Sequence, residues 1–243
     1  MVNKFLWFAK EIVIAMEQDE RNVLVHCTDG WDRTAQLWTL VQLMLDPFYR
    51  TIKGLHMLIE KDWISFGHMF EKRMGHFKNE KQDPDERSPI FIQWLDWVHQ
   101  LWKQFPTAFQ FNINLLSFLA HEVYTWKFGT FLFDWEYERN VMNIRRKTVS
   151  IWVYISENIL DFVNPFYQKD QEYSGHYFLY GTSKNVIIPM TDYVSMSLFK
   201  EHFFKWNVEH MTQYNPLVGS PLNQMEKAMM KVMDLHTENN ELK

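Results

Sequence analysis

Cysteine is almost absent from this chain. Cys27 is the single one in 243 residues. That excludes an intramolecular disulfide and suits a reducing compartment, where a lone thiol persists. Long apolar runs are missing too. None reaches the roughly eighteen residues that a membrane-spanning helix needs, and Lys10 and Glu11 interrupt the apolar N-terminal stretch. Neither a transmembrane helix nor a secretory signal is readable, so the chain is expected to be cytoplasmic, with any membrane contact peripheral. Positive charge is not in excess: the formal net charge is -5, which argues against broad nucleic-acid binding and leaves room only for a local basic patch. The histidines carry no metal-ligand spacing, so no metal and no other cofactor is expected.

What the chain does have is aromatic bulk. Aromatics make up 17% of it, with 11 tryptophans, a composition that points to a large packed core and not to disorder. The chemistry gathers in Asn22-Val-Leu-Val-His-Cys-Thr-Asp-Gly-Trp-Asp-Arg-Thr34. Asn22 to His26 reads as a short buried strand. From Arg33 to Leu45 the apolar residues Leu37, Leu40, Val41 and Met44 recur at helical spacing. A turn between strand and helix aims backbone N–H groups at one spot, at a helix N-terminus that favours negative charge. Such a place lowers a thiol pKa, and the thiolate is the nucleophile. Six residues on, Arg33 can hold two phosphate oxygens with its planar fork. Asp29 and Asp32 bring two carboxylates, either of which can serve as proton donor to a departing alcohol if its surroundings keep it protonated. A bare C-x5-R pair is common by chance, and most lone cysteines are inert core residues. The strand before, the helix after, the glycine within and the two flanking acids turn the reading towards phosphate-ester hydrolysis through a cysteinyl-phosphate.

His26-Cys-Thr-Asp-Gly-Trp-Asp-Arg-Thr34 closely resembles the signature of the myotubularin family, with Thr28 where that signature usually has Ser. The likeness continues through Tyr49-Arg-Thr-Ile-Lys-Gly54, Glu60-Lys-Asp-Trp-Ile-Ser-Phe-Gly-His68, Arg87-Ser-Pro89, Gln104-Phe-Pro-Thr-Ala-Phe109 and Phe128-Gly-Thr-Phe-Leu132, and fades after about Tyr167. It implies removal of the 3-phosphate from phosphatidylinositol 3-phosphate, and from the 3,5-bisphosphate, without a metal. It also implies a tyrosine-phosphatase-like fold, of which this chain resembles the later part. The strands that precede the loop in that fold, and the N-terminal lipid-binding PH-GRAM module, have no counterpart in these residues. The sequence is therefore expected to be a piece of a longer chain, or to need a partner that completes its sheet. By the same resemblance Cys27 is the nucleophile, Arg33 and the loop amides of Thr28, Asp29, Gly30, Trp31 and Asp32 hold the phosphate, and Asp32 is the general acid with Asp29 as the alternative. His26 would orient the loop and tune the thiol. Arg73 falls where the family places a cation on the inositol phosphates, while Met69 stands where relatives usually carry Arg or Lys.

The expected fold class is α/β but predominantly helical, a partial cysteine-based phosphatase fold with a C-terminal helix. Residues 1–220 would form the phosphatase portion and residues 221–243 a short tail. Helices are expected over Asn3 to Gln18 (mostly buried), from Arg33, over Thr51 to Glu60, Ile90 to Phe105, Ile113 to Phe128, Val149 to Leu160 and Ser195 to Trp206. Tyr177 to Tyr180 and Asn185 to Ile188 read as short extended pieces, and Lys78 to Arg87 as a solvated loop. Arg145, Arg146 and Lys147 form a basic turn, better read as solvated than as a headgroup site. In the tail, Met225, Ala228, Val232, Leu235, Asn239 and Leu242 alternate by three and four, with Asn at a register-fixing position. An ordinary amphipathic helix fits that pattern as well as a coiled coil does. The resemblance favours a coiled coil and a homo- or hetero-dimer through residues 222–243.

Three functions are therefore in play. The first is a phosphoinositide 3-phosphatase acting on a membrane surface, the second a truncated, inactive adaptor working through its tail, and the third a dual-specificity protein phosphatase using the same loop.

Overall fold

The computed structural model describes residues 2–76, 84–169 and 185–205. These residues are mostly helical, and among them no strand forms. The sequence places 13 residues of apolar-patterned helix directly after the loop, and α2 (Arg33–Leu45) is the result. Its Ala35, Leu40, Val41, Leu43 and Met44 are buried. α1 (Val2–Glu17) packs against α2, and α5 (Ile90–Gln104) packs against both. α3 (Ile52–Ile59) follows a turn at Pro47–Arg50. The Thr51 hydroxyl caps α3 by accepting from the Gly54 amide at 2.9 Å, which satisfies a donor the helix leaves open.

The centre is aromatic. Trp63, Phe70, Phe91, Trp94 and Phe131 are all buried, and their rings meet edge-on or tilted at centroid separations of 5.1–6.5 Å. Each such buried ring contributes roughly 1.5–3 kcal/mol through apolar burial, with a further edge-to-face preference. α5 also packs on α6 (Ile113–Glu122), which Asn112 caps by accepting from Asn114 and Leu115. Two buried arginines fasten chain segments that periodicity does not reveal. Arg50 donates to the carbonyls of Leu43 and Met44 at the end of α2 and to Asn185 O at 2.7 Å. Arg139 donates to the carbonyls of Leu132, Phe133 and Ile64.

The structure corrects several expectations. Asn22 to His26 is not a strand: it has no partner strand among the described residues, and Leu24 is 86% exposed. A single extended segment cannot satisfy its own backbone by a ladder, so the β-branched run alone does not make one. α1 buries Leu6, Ala9 and Val13 but leaves Trp7 and Phe8 half exposed, so it is less enclosed than its composition suggests. α6 stops at Glu122, where the Thr125 hydroxyl turns back onto the Glu122 carboxylate at 2.6 Å and Trp126 takes φ 58°. The helix expected from Val149 is broken at Asn158 into α9 (Ile151–Glu157) and α10 (Ile159–Phe162). Val186 and Ile187 are buried and Ile187 N donates to Met44 O at 3.0 Å, but they join no sheet. Between Ser195 and Lys205 only Lys200–Phe203 is helical. Tyr177 to Tyr180 and the whole 221–243 tail lie outside the described residues.

Candidate active site

The loop from Cys27 to Asp32 leads straight into α2. Gly30 has φ +95°, a backbone conformation that L side chains rarely adopt, and it lets the loop fold back so that the Gly30 amide donates to Cys27 Sγ at 3.2 Å. Asp32 precedes α2 in the N-cap position, yet its side chain makes no cap hydrogen bond. The helix's opening amides are thus left for the loop. Partial burial pushes the Cys27 thiol up. The Thr34 hydroxyl and the amides of Gly30, Thr34 and Asp29 outweigh it and bring the pKa down to about 7. A substantial thiolate fraction at neutral pH follows.

The other loop residues lie around that thiol. Thr28 and Asp29 are exposed, and Arg33, at the first position of α2, directs Nη2 to Thr28 Oγ1 at 3.4 Å. His26 is exposed, and the groups acting on the thiol come from Thr34, Gly30 and Asp29. Trp31 is half buried and meets the Trp135 ring edge-on at 6.2 Å.

Asp32 is gripped from outside the loop. Arg73, on the five-residue helix α4 (Phe70–Met74), places Nη2 2.8 Å from Asp32 Oδ2. Its Nη1 donates to Glu86 O at 2.7 Å. The Glu86 end of the expected solvated loop is therefore tied to α4. His68 is fully buried between the edges of Trp63 and Phe70. Its Nδ1 lies 3.0 Å from both Trp31 O and Asp32 Oδ1, and the Trp31 contact has hydrogen-bond geometry. Both neighbours are acceptors, so Nδ1 carries the hydrogen. Burial pushes the Asp32 carboxyl up, but His68 and Arg73 prevail and hold it below the ordinary carboxylate range. Met69, directly before α4, is buried.

The structure thus brings Arg73 to Asp32 and leaves Asp29 exposed. Sequence reasoning assigned nothing to His68, Thr34, Glu86 or Trp135. His68 sits inside one of the recognised stretches, and Thr34 closes the signature, so two of the four carried a signal.

A sequence profile of the Myotubularin-like phosphatase domain matches residues 1–140. The chain belongs to that family. Among myotubularin relatives it is 44% identical to Myotubularin of Rattus norvegicus over 196 residues, which is 81% of this chain and 30% of that protein. It is 43% identical to Phosphatidylinositol-3,5-bisphosphate 3-phosphatase MTMR2 of Mus musculus over 199 residues, 82% of this chain and 29% of the relative. Against Myotubularin of Xenopus laevis the match is 38% over 230 residues, 95% and 35% respectively. This myotubularin-family chain therefore spans about a third of the length of the curated relatives it matches.

Proposed function

We propose that this chain carries the phosphate-handling loop of a phosphoinositide 3-phosphatase. The Gly30 amide donating to Cys27 Sγ at 3.2 Å, in a turn that brings the thiol to about 7, carries the reading. The relative named as a phosphatidylinositol-3,5-bisphosphate 3-phosphatase supports the substrate class, with the 3-phosphate and the 3,5-bisphosphate of phosphatidylinositol as substrates.

In this reading the Cys27 thiolate attacks phosphorus, an S–P bond forms and the P–O bond to the inositol breaks. Arg33, freed from Thr28, and the loop amides stabilise the charge that builds on the phosphoryl oxygens. The departing oxygen needs a proton. Asp32 stands beside the site but is held ionised by Arg73 and His68, so it becomes a donor only when Arg73 moves onto the substrate's phosphates. That exchange raises the Asp32 pKa as the substrate arrives. Asp29 is the alternative donor. Water then cleaves the S–P bond and returns the thiolate.

The test is phosphate release from phosphatidylinositol 3-phosphate by the chain and by Cys27→Ser. Release that is vanadate-sensitive, chelator-insensitive and absent in the variant supports the reading, and release that survives the change sinks it. Equal turnover of a phosphotyrosine peptide would instead favour the protein phosphatase. The adaptor reading rests on residues 221–243, and sedimentation with and without that tail tests it; an unchanged mass counts against it.

A further inference from the structure

We propose that the surface formed by Phe66, Trp135, Tyr137 and the far end of the same segment is where this chain rests on an anionic lipid bilayer. The proposal rests on the lipid-phosphatase reading and names the surface that reading needs.

The segment in question follows the aromatic core. α7 (Glu136–Val141) and α8 (Ile144–Lys147) pack on one another. Tyr137 and Val141 are one turn apart on α7, hence on one face, and they are 78% and 64% exposed. Met142 and Trp135 are 45% and 43% exposed, and Phe66, beside Gly67, is 64% exposed. Arg145, Arg146 and Lys147 are all exposed on α8, while Ile144 anchors it inward. Glu136 pairs with Arg145 at 2.8 Å, and Glu138 on α7 offsets one of Arg146 and Lys147, so apart from the buried Arg139 the two helices carry one positive charge in excess.

This surface is rigidly joined to the loop. The Arg139 guanidinium donates to Leu132 O, Phe133 O and Ile64 O, pinning α7 to the segment before it and to the helical stretch Glu60–Ser65 that continues α3. Asp134 Oδ1 accepts from the Glu71 amide at 2.8 Å, on the helix whose Arg73 holds Asp32. Trp135 touches Trp31 of the loop, and a side chain at Gly67 would meet its ring. Phe133 takes φ 64°, which a bulky residue adopts only when its surroundings impose it.

A bilayer fits the placement of this surface beside the loop. Tryptophan and tyrosine beside clustered Arg and Lys are the composition of a membrane–water interface; the same aromatics, with Met and Arg, also occur at protein interfaces, so it is the position of the surface beside the loop that favours lipid. The surface is continuous with a site whose proposed substrate is a headgroup, so the loop and the aromatic residues would meet the same lipid plane. Aromatic side chains give interfacial depth and the cations select anionic lipid.

Cosedimentation with phosphatidylcholine vesicles, with and without phosphatidylserine, tests the surface in wild type, Tyr137→Ser/Met142→Ser and Arg146→Glu/Lys147→Glu. Circular dichroism verifies the fold of each, since all four positions are exposed. The expected result is preference of the wild type for phosphatidylserine vesicles, and at least a tenfold weaker association for each double variant. Hydrolysis of a water-soluble, short-chain phosphatidylinositol 3-phosphate should be unchanged while hydrolysis of the vesicle-borne lipid falls. Wild-type vesicle association in both variants overturns the proposal, as does a wild type that ignores phosphatidylserine. Normal vesicle association with no hydrolysis of either substrate would overturn the phosphatase reading and leave the surface standing.

Discussion

Arg73 Nη2 lies 2.8 Å from Asp32 Oδ2, joining α4 to the turn that carries the single thiol. The Asp32 carboxylate is therefore held in its charged form by His68 and Arg73. Because the Asp32 pKa is lowered in the folded chain, the pair adds stability that is fully present above the ordinary carboxylate range, near 4. That stability is lost as pH falls through the lowered value. Arg73→Met should shrink this acid-side loss and raise the Asp32 pKa. Thermal unfolding of both proteins between about pH 2 and pH 6 would reveal it, and parallel curves would speak against the pair.

The Cys27 thiol should titrate near 7, well below its ordinary value of 9.0. The rate of iodoacetamide alkylation against pH measures this directly. Thr34→Val removes the hydroxyl that contributes most to the lowering, so its midpoint should rise towards 9.0. Thiolate formation favours the folded state, with the benefit complete above the unfolded pKa and gone below about 7. An unmoved midpoint in Thr34→Val would show that the loop does not act on the thiol in this way.

Gly30→Ala isolates backbone freedom. A Cβ at this position meets nothing within 4 Å, so the cost is that of φ +95° alone, on the order of 1–2 kcal/mol. Urea unfolding should register that loss, and the alkylation midpoint should rise because the Gly30 amide shifts from the sulfur. A neutral substitution would mean the turn adopts another shape.

Arg139→Lys should behave almost like Arg139→Ala. The planar fork reaches three carbonyls that a single ammonium cannot reach together. Leaving buried carbonyls unpaired costs about 1–3 kcal/mol each, so a loss of a few kcal/mol by chemical denaturation is expected. Full rescue by lysine would assign the residue a purely coulombic role.

Helices with a continuous apolar stripe were legible in the sequence. α5, expected over Ile90 to Phe105, runs Ile90–Gln104, because Trp94, Leu95, Val98 and Leu101 recur on one face and Pro106 closes it. The loop was legible because Gly30, the helix after it and the paired acids all agree. The strand at Asn22 was misread because β propensity depends on a partner that local sequence does not specify. The helix breaks at Asn158 and after Glu122 come from side chains turning back onto carbonyls and carboxylates, a competition that periodicity does not register. The clamps made by Arg50, Arg139 and His68 reach across the chain, over as many as 135 positions in Arg50 to Asn185, and no spacing rule anticipates them. Asp32 was legible as an acid, but its partners, and so its charge, were not.

Trapping the covalent intermediate decides whether Cys27 is the nucleophile. The chain is mixed with phosphatidylinositol 3-phosphate, quenched in acid and mapped by mass spectrometry. A phosphate adduct on the Cys27 peptide that is missing from Cys27→Ser is the predicted result. Phosphate release with no adduct on Cys27, or an adduct on another residue, would contradict it.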